Sequence, residues 1–102
     1  MYRAGTERAE ESTLAALDRV AARLELGPQA RSAARELFLS QLPIEERSKD
    51  ALLATSVYAG ALIAGDQRSQ TAVAEAADVS RLTIQSRWRP LLEAAGFETP
   101  TW

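Results

Sequence analysis

The chain has no cysteine and no histidine in 102 residues, a single methionine, and aromatic side chains at only 6% of positions. Without cysteine there is no disulfide and no thiol nucleophile. Without cysteine or histidine there are no zinc ligands of the usual types, and the most common general base is missing. The carboxylates that remain are scattered, with no cluster that would hold a hard metal or divide acid and base roles. We therefore expect no enzyme, no catalytic residue, no cofactor and no metal site. Lysine is nearly absent as well: Lys49 stands against eleven arginines. Together with abundant alanine, that bias fits a GC-rich genome of haloarchaeal or actinobacterial type. No apolar run approaches the roughly twenty residues of a membrane span, and charges stand at the N-terminus where a signal peptide would have its apolar core. The expectation is a soluble, cytoplasmic chain with no membrane partner.

What is present is the composition of one globular domain, 46% hydrophobic and 25% charged, long enough for a single core with little surplus stability. Apolar spacing and punctuation predict an all-α fold of five helices, over about 7–26, 28–41, 46–64, 69–77 and 80–95, with an irregular tail at 97–102. In the first, Leu14, Leu17, Val20, Ala21 and Leu24 form a stripe at three- and four-residue steps. Gly27-Pro28 stops it, glycine suiting a C-terminal cap and proline the first turn of the second helix, which buries Ala30, Ala34, Leu37 and Phe38. The third is apolar almost all round from Ala51 to Ile63, the mark of a buried central helix. Its small residues Ala54, Ala59, Gly60 and Ala61 let neighbours approach closely. In the tail, Phe97 and Trp102 either fold back on the core or mark a contact surface.

The segment from Gln70 to Arg89, QTAVAEAADVSRLTIQSRWR, reads as a helix-turn-helix. Ala74 falls where two helices must meet, Val79 and Ile84 lock the second over the first, and Ser80 is placed to cap the second. Asp78 occupies the turn position where glycine is usual, and aspartate tolerates turn conformations. The bland alternative is ordinary packing of two amphipathic helices. Net charge is −2, yet residues 68 to 90 carry four arginines against Glu75 and Asp78, a local excess of +2. The positive charge thus sits on the motif, which favours phosphate contact.

Five helices around an apolar third, ending in a helix-turn-helix, describe a cyclin-like repeat, and the chain resembles one repeat from the core of the general transcription factor B family, TFIIB and its archaeal counterparts. Leu17-Asp18-Arg19-Val20, then Leu24-Glu25-Leu26 and Pro28, resemble the family's opening helix and its exit. Ala34 with Leu37-Phe38 resembles the second helix. Glu46-Arg47-Ser48 stands where the family has Gly-Arg-Ser, and Tyr58 where it has the tyrosine of its alanine-rich helix. Gly65 with Arg68-Ser69, and then Val79-Ser80, Ile84, Trp88 and Arg89, continue the register to the end of the fifth helix. The departures are Ala61-Leu62 for a Cys-Arg pair, Glu46 for glycine and Gln67 for proline. The resemblance covers one repeat of a family that has two and a zinc ribbon, so we do not expect this chain to recruit polymerase as a full member does.

The resemblance implies a transcription-related, nucleoid-associated protein that binds double-stranded DNA through its last two helices. Ser80, Arg81, Gln85 and Arg89 would meet the major groove, with Arg81 suited to guanine and Gln85 to adenine. Arg68, Gln70 and Thr71, opening the fourth helix, would contact phosphate with help from its free amides. For each of these residues a solvated helix face is the rival reading. Trp88 and Tyr58 belong by their spacing to the core, and Arg47 and Ser48 are structural. The alternative function is a protein-interaction module, with the TATA-binding protein or another transcription regulator as the partner the resemblance implies. A single repeat can also pair with itself, as a homodimer, to replace its missing neighbour.

Overall fold

The structure is a computed structural model, and it describes residues 10–97. Five α-helices follow one another without a strand among the described residues: α1 Glu11–Arg23, α2 Pro28–Ser40, α3 Lys49–Ile63, α4 Gln70–Ala77 and α5 Arg81–Ala94. A single 3-10 turn, Glu46–Ser48, leads into α3. The expected start of the first helix before Glu10 and the tail beyond Phe97, Trp102 included, lie outside the described residues. No helix among those described is long and apolar enough to cross a membrane.

α3 is the axis of the bundle, and every residue from Leu52 to Ala61 is buried. α1, α2, α4 and α5 each pack on it with one apolar stripe: Leu14, Leu17, Val20 and Ala21 from α1, Ala30, Ala34, Leu37 and Phe38 from α2, Val73 and Ala74 from α4, and Ile84, Trp88, Leu91 and Leu92 from α5. Such a helix has no polar face to offer water, so it is stable only where neighbours surround it. The closest of these neighbours is α2. A Cβ built on Gly60 would lie 2.6 Å from the Ala34 nitrogen and 2.8 Å from its Cα, so the two backbones cross at that point with no room for a methyl group. Two neighbouring buried hydroxyls of α3 differ in their partners: Thr55 donates to the Ala51 carbonyl at 2.7 Å, whereas Ser56 has none among the described residues.

Four of the five helices end in the same left-handed turn, at Glu25, Gly65, Asp78 and Gly96. In each, the amide of the following residue reaches back to a carbonyl five residues earlier, as from Leu26 to Ala21 at 3.0 Å and from Val79 to Ala74 at 3.0 Å. This arrangement satisfies carbonyls that a helix end leaves open. It also corrects one expectation, because α1 is stopped by Glu25, with φ 56°, and Gly27 instead stands in extended conformation at the N-cap of α2. Glycine is absent from two of these turns. At Asp78, φ is 59°, where a side chain costs conformational energy that glycine does not. Asp78→Gly should therefore raise stability by about 0.5 kcal/mol, the left-handed relief exceeding the entropy glycine adds to the unfolded chain. Urea titration would show an unchanged or lower midpoint if that turn is unstrained.

Candidate nucleic-acid interface

The helix-turn-helix is held to the rest of the bundle by polar ties as well as by its core stripe. Arg68 lies in the connection between α3 and α4. Its Nε donates to the Leu24 carbonyl at 3.0 Å, Nη2 to the Glu25 carbonyl at 3.2 Å, and Nη1 to the Asp66 carboxylate at 2.8 Å. Asp66 in turn accepts from the Gly27 amide at 2.9 Å. The end of α1, the start of α2 and the approach to α4 thus converge on one ion pair. Arg23 completes the bracing, donating from α1 to the Ala76 carbonyl near the end of α4 at 2.7 Å. The Gly27 amide, followed by the Arg68 guanidinium, holds the Asp66 carboxyl below its usual range.

That shift has a sign that can be measured. A lowered folded-state pKa contributes stability above the ordinary aspartate range, and the contribution is lost as pH falls through the lowered value. Asp66→Asn should therefore be less stable than the parent at neutral pH, with the gap closing in acid. Thermal melts of both proteins across that range would show it. A gap that stays constant down to the most acid point would rule the linkage out.

α4 and α5 are each opened by a serine. Ser69 accepts from the Ala72 amide at 3.0 Å and Ser80 from the Thr83 amide at 3.2 Å. Both hydroxyls serve as caps, which stabilise helix starts by about 1 kcal/mol each. Ser80 is further tied to the Thr83 hydroxyl at 3.1 Å.

Along α5 the buried residues Ile84, Trp88, Leu91 and Leu92 define one side. Arg81, Gln85 and Arg89 follow one another at four-residue steps along a flank of the helix, all three exposed. Arg81 is joined to the start of α4, its Nη1 donating to Gln70 Oε1 at 3.2 Å. Thr71 stands exposed in the first turn of α4 beside Gln70. Arg89 is stacked over the Trp88 ring at 5.0 Å, and Trp88 meets Tyr58 of α3 edge-on, with centroids 5.8 Å apart. Such stacking fixes a guanidinium over a buried support while leaving its N–H groups outward. Trp88 and Tyr58 are themselves buried core residues.

The structure brings Gln70, Thr71, Arg81, Gln85 and Arg89 onto the outer side of the helix-turn-helix. Arg68 is corrected: its donors are spent on backbone carbonyls and Asp66, so it shapes the site without facing a ligand. The Ser80 hydroxyl is the cap of α5, as its position predicts. One exposed residue of this face was missed. Leu82 is 66% exposed, two positions before Ile84, and that spacing on a helix already places it away from the buried stripe. Arg87 points elsewhere, lining a cleft with Gln41, Ile44 and Pro90. Among the described residues no group of acidic side chains could hold a metal ion.

With this geometry in view, comparison with known proteins is specific. The model of the transcription factor TFIIB repeat matches residues 6–94. The chain is 36% identical over 93 residues to transcription initiation factor IIB 6 of Halobacterium salinarum, covering 88% of this chain and 29% of that protein. It is 32% identical over 84 residues to transcription initiation factor IIB 3 of the same organism, covering 79% of this chain and 26% of that protein. A transcription initiation factor IIB of Haloarcula vallismortis is 31% identical over 81 residues, 76% of this chain and 71% of the relative. The chain thus spans little more than a quarter of the length of the first two.

Proposed function

The chain belongs to the transcription factor TFIIB repeat family, and we propose that it acts in a promoter complex by binding duplex DNA through α4 and α5. The observation that carries this reading is the Arg81-Gln85-Arg89 flank of α5. It stands beside the capped start of α4 in a chain whose net charge is −2. A cationic stripe on an otherwise acidic molecule directs a polyanion to one face. In the complex, the N-terminal half of α5 enters the major groove, Arg81 and Gln85 meet base edges, and Arg89 meets the phosphate backbone from its seat on Trp88. Gln70, Thr71 and the free amides of the first turn of α4 bind the neighbouring phosphate. Arg68 and Asp66 set the angle at which α4 presents that turn.

The test is a heteronuclear NMR titration of the labelled chain with a short duplex. Amide shifts should move from Ser69 to Ala72 and from Ser80 to Arg89, while those of α1 and α2 stay in place. Shifts spread evenly over the molecule, or confined to α2, would refute this interface.

A second reading rests on Leu82, an exposed leucine in the first turn of the same helix. There α5 docks on a protein of the promoter complex, with the TATA-binding protein as the partner that family membership suggests. A Leu82→Ser variant that keeps duplex affinity but no longer co-purifies with that partner would favour it.

A further inference from the structure

The hydrogen bond between Gln70 and Arg81 joins the first residue of α4 to the first residue of α5, eleven positions apart. Its chemistry fixes which way each side chain faces. A guanidinium has donors and no acceptor, so Gln70 must present its carbonyl oxygen to Arg81. The amide nitrogen of Gln70, with two donors, is then the part of the group left to meet another acceptor. On Arg81 the bond occupies Nη1 and leaves the Nε–Nη2 edge free. That edge is a planar two-donor fork, the geometry that matches the O6 and N7 acceptors of guanine. An exposed arginine without a brace samples many rotamers, and bidentate recognition needs one of them.

We infer that Gln70 is a specificity-determining positioning residue: it holds Arg81 so that its free fork reads guanine, and it donates its own amide to the adjacent phosphate. The inference rests on the duplex-binding reading above and adds to it one side chain that serves backbone contact and base readout separately. The bond to Arg81 is already formed in the free protein, so the brace holds the reader whether or not a phosphate is bound. The phosphate contact adds affinity on every sequence, and the brace adds the preference.

The two halves of the role separate in two variants. Gln70→Ala removes both the acceptor for Arg81 and the donor for phosphate. Gln70→Glu keeps an acceptor for Arg81 at the same reach and has no donor to offer phosphate. The probe is a pool of duplexes with a randomised core, from which the full wild-type chain selects its preferred site. Affinities are then measured on that site and on its single-base-pair variants.

Arg81→Ala identifies the base pair that Arg81 reads, by loss of a preference for G·C of roughly tenfold or more. At that pair, Gln70→Ala should cut the preference to about threefold or less, as Arg81→Ala does, while its melting temperature stays with that of the wild type. Gln70→Glu should bind every duplex more weakly and keep the preference. The inference is overturned if Gln70→Ala retains the wild-type preference at the pair Arg81 reads. It is also overturned if the wild type binds duplexes yet Arg81→Ala changes no base preference. Failure of the wild type to retain any duplex at low salt is a different result, which overturns the duplex reading and this inference with it.

Discussion

Gly60→Ala should lower the stability of the domain by at least about 3 kcal/mol, the upper part of the range for an overpacked core. For a domain of this size that corresponds to a fall in Tm of roughly 12 °C or more. The intrinsic effect runs the other way, since alanine is favoured over glycine inside a helix by about 1 kcal/mol. The sign is decided by what the added methyl meets. A Cβ at Gly60 would stand 2.6 Å from the Ala34 nitrogen, 2.8 Å from its Cα and 3.0 Å from its Cβ. Two of the three obstacles are backbone, so no rotamer change clears them and α2 must move away from α3. That movement opens the contact around Ala34, Leu37 and Phe38, all buried. It follows that Ala34→Gly, which removes only the Cβ, should rescue little of the loss. Circular-dichroism melts of the single and double variants would check both points. A Gly60→Ala protein as stable as the parent would mean that the two helices do not cross there as described.

The second large effect concerns binding. Replacing Arg81 and Arg89 together by alanine should weaken duplex affinity by about 100-fold or more, since a good base contact is worth roughly 1 to 3 kcal/mol and a phosphate contact adds its ionic share. Both side chains are exposed, so the fold should be retained. Arg89 has in addition its stacking on Trp88 to lose, a matter of about 0.5 to 1 kcal/mol at an exposed site. Arg87→Ala removes the same charge from the same helix but from the side that lines the cleft with Gln41 and Ile44. It should change affinity by no more than about threefold, the effect of net charge alone. Fluorescence anisotropy with a labelled duplex distinguishes the two. Equal losses from Arg87→Ala and from either Arg81→Ala or Arg89→Ala would show that position on the helix does not matter.

Much of this arrangement was legible in the sequence, and the parts that were not share a physical reason. The stripe Ile84, Trp88 and Leu92, the capping role of Ser80 and the central place of α3 follow from spacing and side-chain chemistry within one helix, information that short stretches carry. Arg68 misled because its partners are the Leu24 and Glu25 carbonyls, 44 and 43 residues away. Nothing in the neighbourhood of Arg68 shows that α1 ends beside it. Arg23, which reaches Ala76 across 53 residues, was hidden for the same reason. The turn at Glu25 was obscured by the nearby Gly27, a better candidate by residue type alone. At Asp78 the left-handed requirement of the turn was legible even with an unexpected residue, because it belongs to the geometry of the motif. Leu82 was legible and overlooked, its position off the apolar stripe being a local fact.

The central claim is that this face binds duplex DNA by phosphate attraction concentrated on α5. The most direct test is the affinity of the wild-type chain for a duplex measured across a series of salt concentrations. With Arg89 as the cation on a phosphate and Arg81 on a base edge, the logarithm of the association constant should fall with the logarithm of salt at a slope of about −1. The double variant should flatten that slope toward zero. A flat wild-type slope, or no binding at the lowest salt, would contradict the account and move α5 from the groove of DNA to the surface of a protein partner.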